Sequence, residues 1–356
     1  MYTIDDIRKI EEFCSKTFSG YKLSEVKKAL IKSLIDNNTE AICHWTCELI
    51  CSGHYIVLWD IIILYSSRNI HCGNIKLPLY LELRFNLFKK IINNGYLGSE
   101  IKLRNNATIR QLFLEVMFVM SHANKRHEFK RTKISKTEYQ LDYLRGRFKA
   151  DNLTYVNQIF KTEDPKDMFI AVNELIYHLS KTKDIMSVCY WIEWILNFDL
   201  HCKKNKIIAA SRDYVENEKN QKDYVWLIWD SIKLIIRPKD KLYHNIFDSL
   251  VTLFTIKYTT STKRKRVYII YWAVYLAIDK VDTATQIIKD KKTIDVYVKT
   301  GEKMFKHLKK NEVLKKGKME YSGEYNEGYL ENSLKKLEYM NNLNTYGYIV
   351  LRNVVD

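Results

Sequence analysis

Apolar positions recur along this chain at intervals of three and four residues, the spacing of an amphipathic helix, over nearly its whole length. Thr3 precedes Ile4, Ile7, Ile10 and Phe13, with Asp5 and Asp6 where a helix dipole favours anions, which predicts a first helix. Ser24 heads a second, with the stripe Val26, Leu30, Leu34 and with Ile31 and Ile35 beside it. Thr39 opens a third, running to about Cys51 and closed by Gly53. Residues 55–66 are apolar on nearly all sides, so that helix belongs deep in the core, and Asp60 within it needs a partner. Pro78 suits the first turn of a helix to about Asn93, ended by Asn94-Gly95, and Ile109 to Met120 forms the next.

The pattern then breaks. His122 to Lys136 carries Lys125, Arg126, Lys130, Arg131, Lys133 and Lys136 with few large apolar residues, and reads as an exposed basic connection and a boundary. Ser135 and Glu138 form a capping box, Asp164-Pro165 marks another helix start, and Asp184 caps a helix through Trp191, Trp194, Ile195 and Phe198. Further helices follow at 220–236, 240–257, 263–280 and 293–311. Beyond Lys309 the stripes give way to Glu, Lys, Gly and Tyr, with a short helix at Asn332 to Met340. Tyr321, Tyr325 and Tyr329 would form one aromatic face, docking on a neighbour or on the main body. The expected fold is all-α, a multi-helix array of antiparallel helix pairs, with solenoid-like stacking left open. Its organisation would be an N-terminal helical region (1–121), the basic connection (122–136), a C-terminal helical region (137–309) and an arm (310–356) not needed for folding of the body.

Composition supports a packed core and narrows the classes. Of 356 residues, 46% are apolar, which excludes global disorder, and 11 Gly with 3 Pro disfavour a turn-dense β-sandwich. The start has no apolar leader, and the longest apolar run, Val267 to Ile278, has 12 residues, too few to span a bilayer; a soluble intracellular protein is expected. The formal charge of +16 favours polyanionic partners: nucleic acid, acidic protein or a membrane surface. Yet 44 of the cations are Lys and 14 Arg, beside 25 Tyr and 25 Asn, so A+T-rich coding contributes to the excess. The charge is also uneven: +8 over 101–150, −4 over 151–200 and +6 over 251–300, a pattern suited to ordered protein contacts as much as to nucleic acid.

Candidate chemistry is sparse. Cys43, Cys47 and Cys51 follow i, i+4, i+8 along one helix face, with His44 and His54 nearby and His71 and Cys72 beyond. Thiolate and imidazole ligate zinc, but this spacing lacks the tight C-x₂₋₄-C turn, so buried thiols without metal or cofactor are expected. Neither a G-x-S-x-G or Cys–His nucleophile nor a phosphate-binding Gly loop occurs, and no catalytic residue is assigned. Glu193 between two tryptophans reads as the partner of a cation. The run Lys263-Arg264-Lys265-Arg266 precedes an apolar helix and reads as its exposed, solvated first turn, although cations there oppose the dipole, a conflict that points to an acidic partner. With 125–136 and 203–206 it is a candidate nucleic-acid surface if the three share a face.

Several whole segments carry a likeness. Ser52-Gly-His-Tyr-Ile-Val-Leu-Trp-Asp-Ile-Ile-Ile-Leu-Tyr65, Asn69-Ile-His-Cys-Gly-Asn-Ile-Lys-Leu-Pro-Leu-Tyr80, Asn93-Asn-Gly-Tyr-Leu-Gly98, Leu103-Arg-Asn-Asn106 and Cys189-Tyr-Trp-Ile-Glu-Trp-Ile-Leu196 together resemble a family shared by nucleocytoplasmic large DNA viruses, including chlorella viruses and mimivirus relatives. The likeness covers about residues 20–200 and includes no catalytic signature. It implies a non-enzymatic minor capsid protein that cements or links capsomers. Its partners would then be capsid proteins and other copies of itself, and it would reside in the virion after assembly in the host cytoplasm. A nucleic-acid-binding factor for genome packaging or late transcription is the alternative.

Overall fold

In the computed structural model, residues 2–201, 207–280, 282, 284–288 and 292–314 are described. Among them are thirteen α-helices and no strand. The first five are α1 (Leu23–Ile35), α2 (Thr39–Cys51), α3 (Tyr55–Tyr65), α4 (Leu77–Asn93) and α5 (Ala107–His122). After the basic segment come α6 (Leu141–Arg145), α7 (Phe169–Tyr177), α8 (Ile185–His201), α9 (Val225–Ile236), α10 (Lys241–Thr255), α11 (Thr262–Lys265), α12 (Val267–Ile278) and α13 (Lys292–Lys309). The chain divides into two units, Met1–Val313 and Leu314–Asp356. Tyr321, Tyr325, Tyr329 and the helix expected at 332–340 lie outside the described residues, as do 203–206.

The core follows from the stripes. Val26, Leu30 and Leu34 of α1 are buried, and α1 and α5 both pack on α2. The α2 face bearing Cys43 and Cys47 receives α13, whose Tyr297 and Gly301 carbonyls lie 3.7 and 3.6 Å from the two sulfurs. A second layer joins α7, α8, α9 and α12, and α10 packs on both α12 and α4. A solenoid confines contacts to neighbours. Here α13 returns to α2 and α5, and α10 to α4, so the array closes on itself.

Of the expected caps, Asp184 serves as read, Thr39 yields to Asn38 one residue earlier, and Ser24 lies inside α1, which begins at Leu23 without a side-chain cap. The Asn38 side chain accepts from Ala41 N–H, the Asn106 side chain from Ile109 N–H, and Asp184 from Met186 N–H. Gly53, at φ +76°, turns the chain between α2 and α3. The Ser135–Glu138 capping box is present, on a single 3-10 turn (Lys136–Tyr139).

The first predicted helix does not form. Residues 2–9 have no regular structure, and only Ile10–Phe13 makes a 3-10 turn. Ile4 and Phe13 are buried, but Ile7 and Ile10 face solvent. The segment is held extended by partners distant in sequence. Asn105 exchanges two hydrogen bonds with the Ile4 backbone, Arg104 donates to the Asp6 carbonyl, and Arg110 donates to that of Tyr2. These bonds satisfy peptide groups that a helix would have paired internally. The arm also begins later than the loss of pattern suggests. Asn311 accepts from Arg8, and Val313 accepts from Ile7 N–H and donates to Asp6, so residues 310–313 belong with the body.

Candidate functional site: a pinned basic strap

The basic connection is pinned down rather than loose. Its backbone runs without regular structure from Ala123 to Ser135 and is held at several points, the Arg68–Glu128 ion pair and the bond from His71 Nε2 to the His127 carbonyl among them. Lys125 Nζ donates to the Leu34 and Ile35 carbonyls, which close α1. The N–H groups of Arg126 and Phe129 donate to the Asn69 and Arg68 carbonyls of the π-helical turn Ser66–Ile70. Phe129 is buried and stacks on His71, with ring centroids 4.1 Å apart, while Tyr271 and Tyr275 of α12 stand at 5.8 and 5.3 Å.

A further anchor is electrostatic. Arg131 donates to both oxygens of Glu193, at 2.7 and 2.6 Å. Glu193 lies on α8 with 1% of its side chain exposed, and it also accepts from Tyr271 Oη at 2.8 Å and from Asn197. The bidentate bond raises the Arg131 pKa further, against a smaller opposing effect of burial. The expectation that Glu193 partners a cation is met by Arg131. Asp60, which needed a partner, finds one in Arg266 at 3.0 Å.

Pinning the strap requires close approach to Gly73. A Cβ added there would lie 2.0 Å from the Asn124 carbonyl oxygen. Gly73→Ala should therefore lift the strap and cost about 2 kcal/mol in urea unfolding, with protease cleavage gained between 123 and 135. Unchanged unfolding and protease resistance would show that the strap adjusts without loss.

What the strap presents outward is positive. Arg126, Lys130, Lys133 and Lys136 are exposed, and none has a carboxylate within ion-pair distance among the described residues.

The other predicted basic cluster is turned inward, which corrects its reading as an exposed patch. Lys263 is 0% exposed, 3.1 Å from Asp223, with its Nζ 3.5 Å from the Tyr224 ring centroid. Burial lowers its pKa, and Asp223 and Asp199 oppose that. Arg264 pairs with Asp199 and donates to the Leu196 carbonyl of α8. Arg266 is buried and donates to the Phe254 and Ile256 carbonyls at the end of α10. Only Lys265 of the four stays exposed. The cations that oppose one helix's dipole thus serve carbonyls at or near the C-terminal ends of two others, where positive charge is favourable.

Cys43, Cys47 and Cys51 are buried, and burial pushes the Cys43 thiol up to about 12. Among the described residues no group of three His, Cys, Asp or Glu side chains is placed to hold a metal ion. No helix among them is long and apolar enough to cross a membrane. Sequence reasoning missed the network Asp164–Arg212–Asp230, in which Arg212 and Asp164 are buried. Asp164 reads as a helix start, and nothing in the spacing ties it to Arg212.

Comparison of the chain with protein-family models, with curated proteins and with solved structures finds no match.

Proposed function

We propose that this chain is a non-enzymatic structural protein, a minor capsid component that links larger capsid proteins in the shell of a large icosahedral DNA virus. The observation that carries the reading is the strap. It fixes the backbone beneath four exposed cations on a helical body through a buried aromatic and an ion pair to the buried Glu193, so an acidic partner surface can engage them with little further ordering. Repetition around a shell multiplies such weak contacts into avidity. The segment likeness over residues 20–200 supports the viral setting. The capsid proteins and further copies of this chain are the proposed partners.

Particles assembled with Arg126, Lys130, Lys133 and Lys136 all changed to Glu test this. The variant should unfold like the parent yet be absent from purified particles, where the parent appears at a fixed ratio to the major shell protein. Parent protein missing from particles, or a variant incorporated normally, would overturn the reading. So would high-affinity DNA binding that the four changes abolish while incorporation persists.

A further inference from the structure

A second site lies away from the strap, in an open cleft of about 310 Å³ between the loop at 158–161, the loop at 212–214 and one face of α9. Its floor is rigid. Arg212 is 2% exposed and donates to Asp164 through both terminal nitrogens and to Asp230 through Nε at 2.9 Å. Asp164 also accepts from the N–H groups of Lys161 and Ala210, and Asp230 from Tyr214 Oη at 2.8 Å. Asp164 is thereby saturated, while the partly exposed Asp230 accepts one bond on each oxygen.

The other cations lining the cleft have no carboxylate at ion-pair distance among the described residues. Lys233 on α9 and Arg237 at its C-cap stand four residues apart, where like charges repel. Lys233 Nζ lies 5.4 Å from the Tyr214 ring centroid. Lys161 gives one of its donors to the Ser211 carbonyl and keeps the others. Three basic side chains thus line one preformed cleft without a direct ion pair, an arrangement that an anion would stabilise. The remaining polar lining is different in kind. Asp213 is exposed, and its carboxylate with the Gln158 amide can accept from hydroxyl groups.

From this we infer that the cleft binds a small organic phosphate bearing hydroxyl groups, a phosphosugar or nucleoside monophosphate. The phosphate sits among Lys161, Lys233 and Arg237, and the hydroxyls face Asp213 and Gln158. The volume suits a ligand of that size. The site stands independently of the capsid reading.

Calorimetric titration of the full chain at low ionic strength tests it, with adenosine 5′-monophosphate, ribose 5-phosphate, adenosine, inorganic phosphate and a single-stranded oligothymidylate as probes. Either phosphate ester should bind, and adenosine should bind at least about tenfold more weakly. Lys233→Ala and Arg237→Ala should each weaken the ester about tenfold, with thermal unfolding unchanged or slightly raised by relief of the repulsion. Asp213→Ala should narrow the preference for the esters over inorganic phosphate, whose own binding should be equal or tighter once the negative charge is gone. Adenosine as tight as its monophosphate, no binding of either ester, or variants without effect would overturn the proposal. Inorganic phosphate as tight as the esters would remove its hydroxyl half. Binding of the oligonucleotide alone would make the cleft part of a nucleic-acid surface instead.

Discussion

Arg212→Ala should destabilise the body by about 3–5 kcal/mol, the range for breaking a buried pair from one side. Arg212 and Asp164 are both almost fully buried, and the guanidinium joins the segment before α7 to α9 by bonds to two carboxylates and the Ala210 carbonyl. Its removal leaves the Asp164 charge in a water-excluded site and frees Asp230. For Asp164, burial alone would raise the carboxyl pKa, but the Arg212 bonds and the two backbone N–H groups outweigh it and hold it below the usual value of 3.8. A depressed carboxyl pKa contributes stability that is fully present above the unfolded value and is lost as pH falls through the folded one. The variant should therefore lose that contribution at neutral pH. Arg212→Lys, which keeps the charge but not the fork, should recover only part of it. Chemical unfolding of the three proteins at pH 7 checks this. If Arg212→Ala unfolds at the parent's midpoint, the network is ornamental to the fold.

How far the sequence discloses this molecule depends on the distance over which each signal acts. Helix periodicity and caps are local, so the stripes of α1 to α5 and the starts near Asn38, Asn106 and Asp184 are legible. The N-terminal segment misleads because its helical pattern is local while the Asn105, Arg104 and Arg110 side chains that hold it extended lie about a hundred residues away. Charge misleads for a related reason. A run such as 263–266 shows its sign in sequence but not its destination, and here the destinations lie near the ends of α8 and α10. Lys125 serves the last carbonyls of α1 and Lys239 that of Leu276 in α12 in the same way. Part of the +16 excess thus closes helix ends, and it is no measure of affinity for polyanions. The strap is legible as basic and irregular, but its anchors are not, because Phe129 and Arg131 find their sites only once α8 and α12 have packed together. The cleft beside α9 leaves only the Lys233–Arg237 spacing as a trace, too common a pattern to single out.

Stability should fall steeply below about pH 6.5, and two buried histidines should contribute to the loss. His44 and His71 are both buried, and desolvation lowers their pKa from 6.5 to about 3 and about 4. His44 packs edge-on against Trp45, and His307 opposes its protonation. His71 donates from Nε2 to the His127 carbonyl, is stacked by Phe129, and faces the charges of His127 and Arg126; its Nδ1 has no partner among the described residues. A second proton on that ring would bury both a charge and an unpaired donor. The sign follows from linkage. Between pH 6.5 and the folded values the unfolded chain takes up protons that the native state refuses, so stability rises with pH across that window. One proton taken up only by the unfolded chain costs about 1.4 kcal/mol for each pH step of one, so each histidine withdraws about 3 kcal/mol by pH 4, and the pair together approach the whole stability of an ordinary domain. His54, His178 and His307 are also lowered by burial and add to the slope. The test is the slope of unfolding free energy against pH from 7.5 to 4.5, above most carboxylate titration. Replacing His71 by Gln should flatten it by nearly one proton, as should replacing His44, whatever each change does to stability at pH 7. Variants that keep the parent's slope would show that neither imidazole stays neutral in the native state. Because Phe129 rests on His71, acid should also free the strap, and protease cleavage between 123 and 135 should appear at a higher pH than global unfolding.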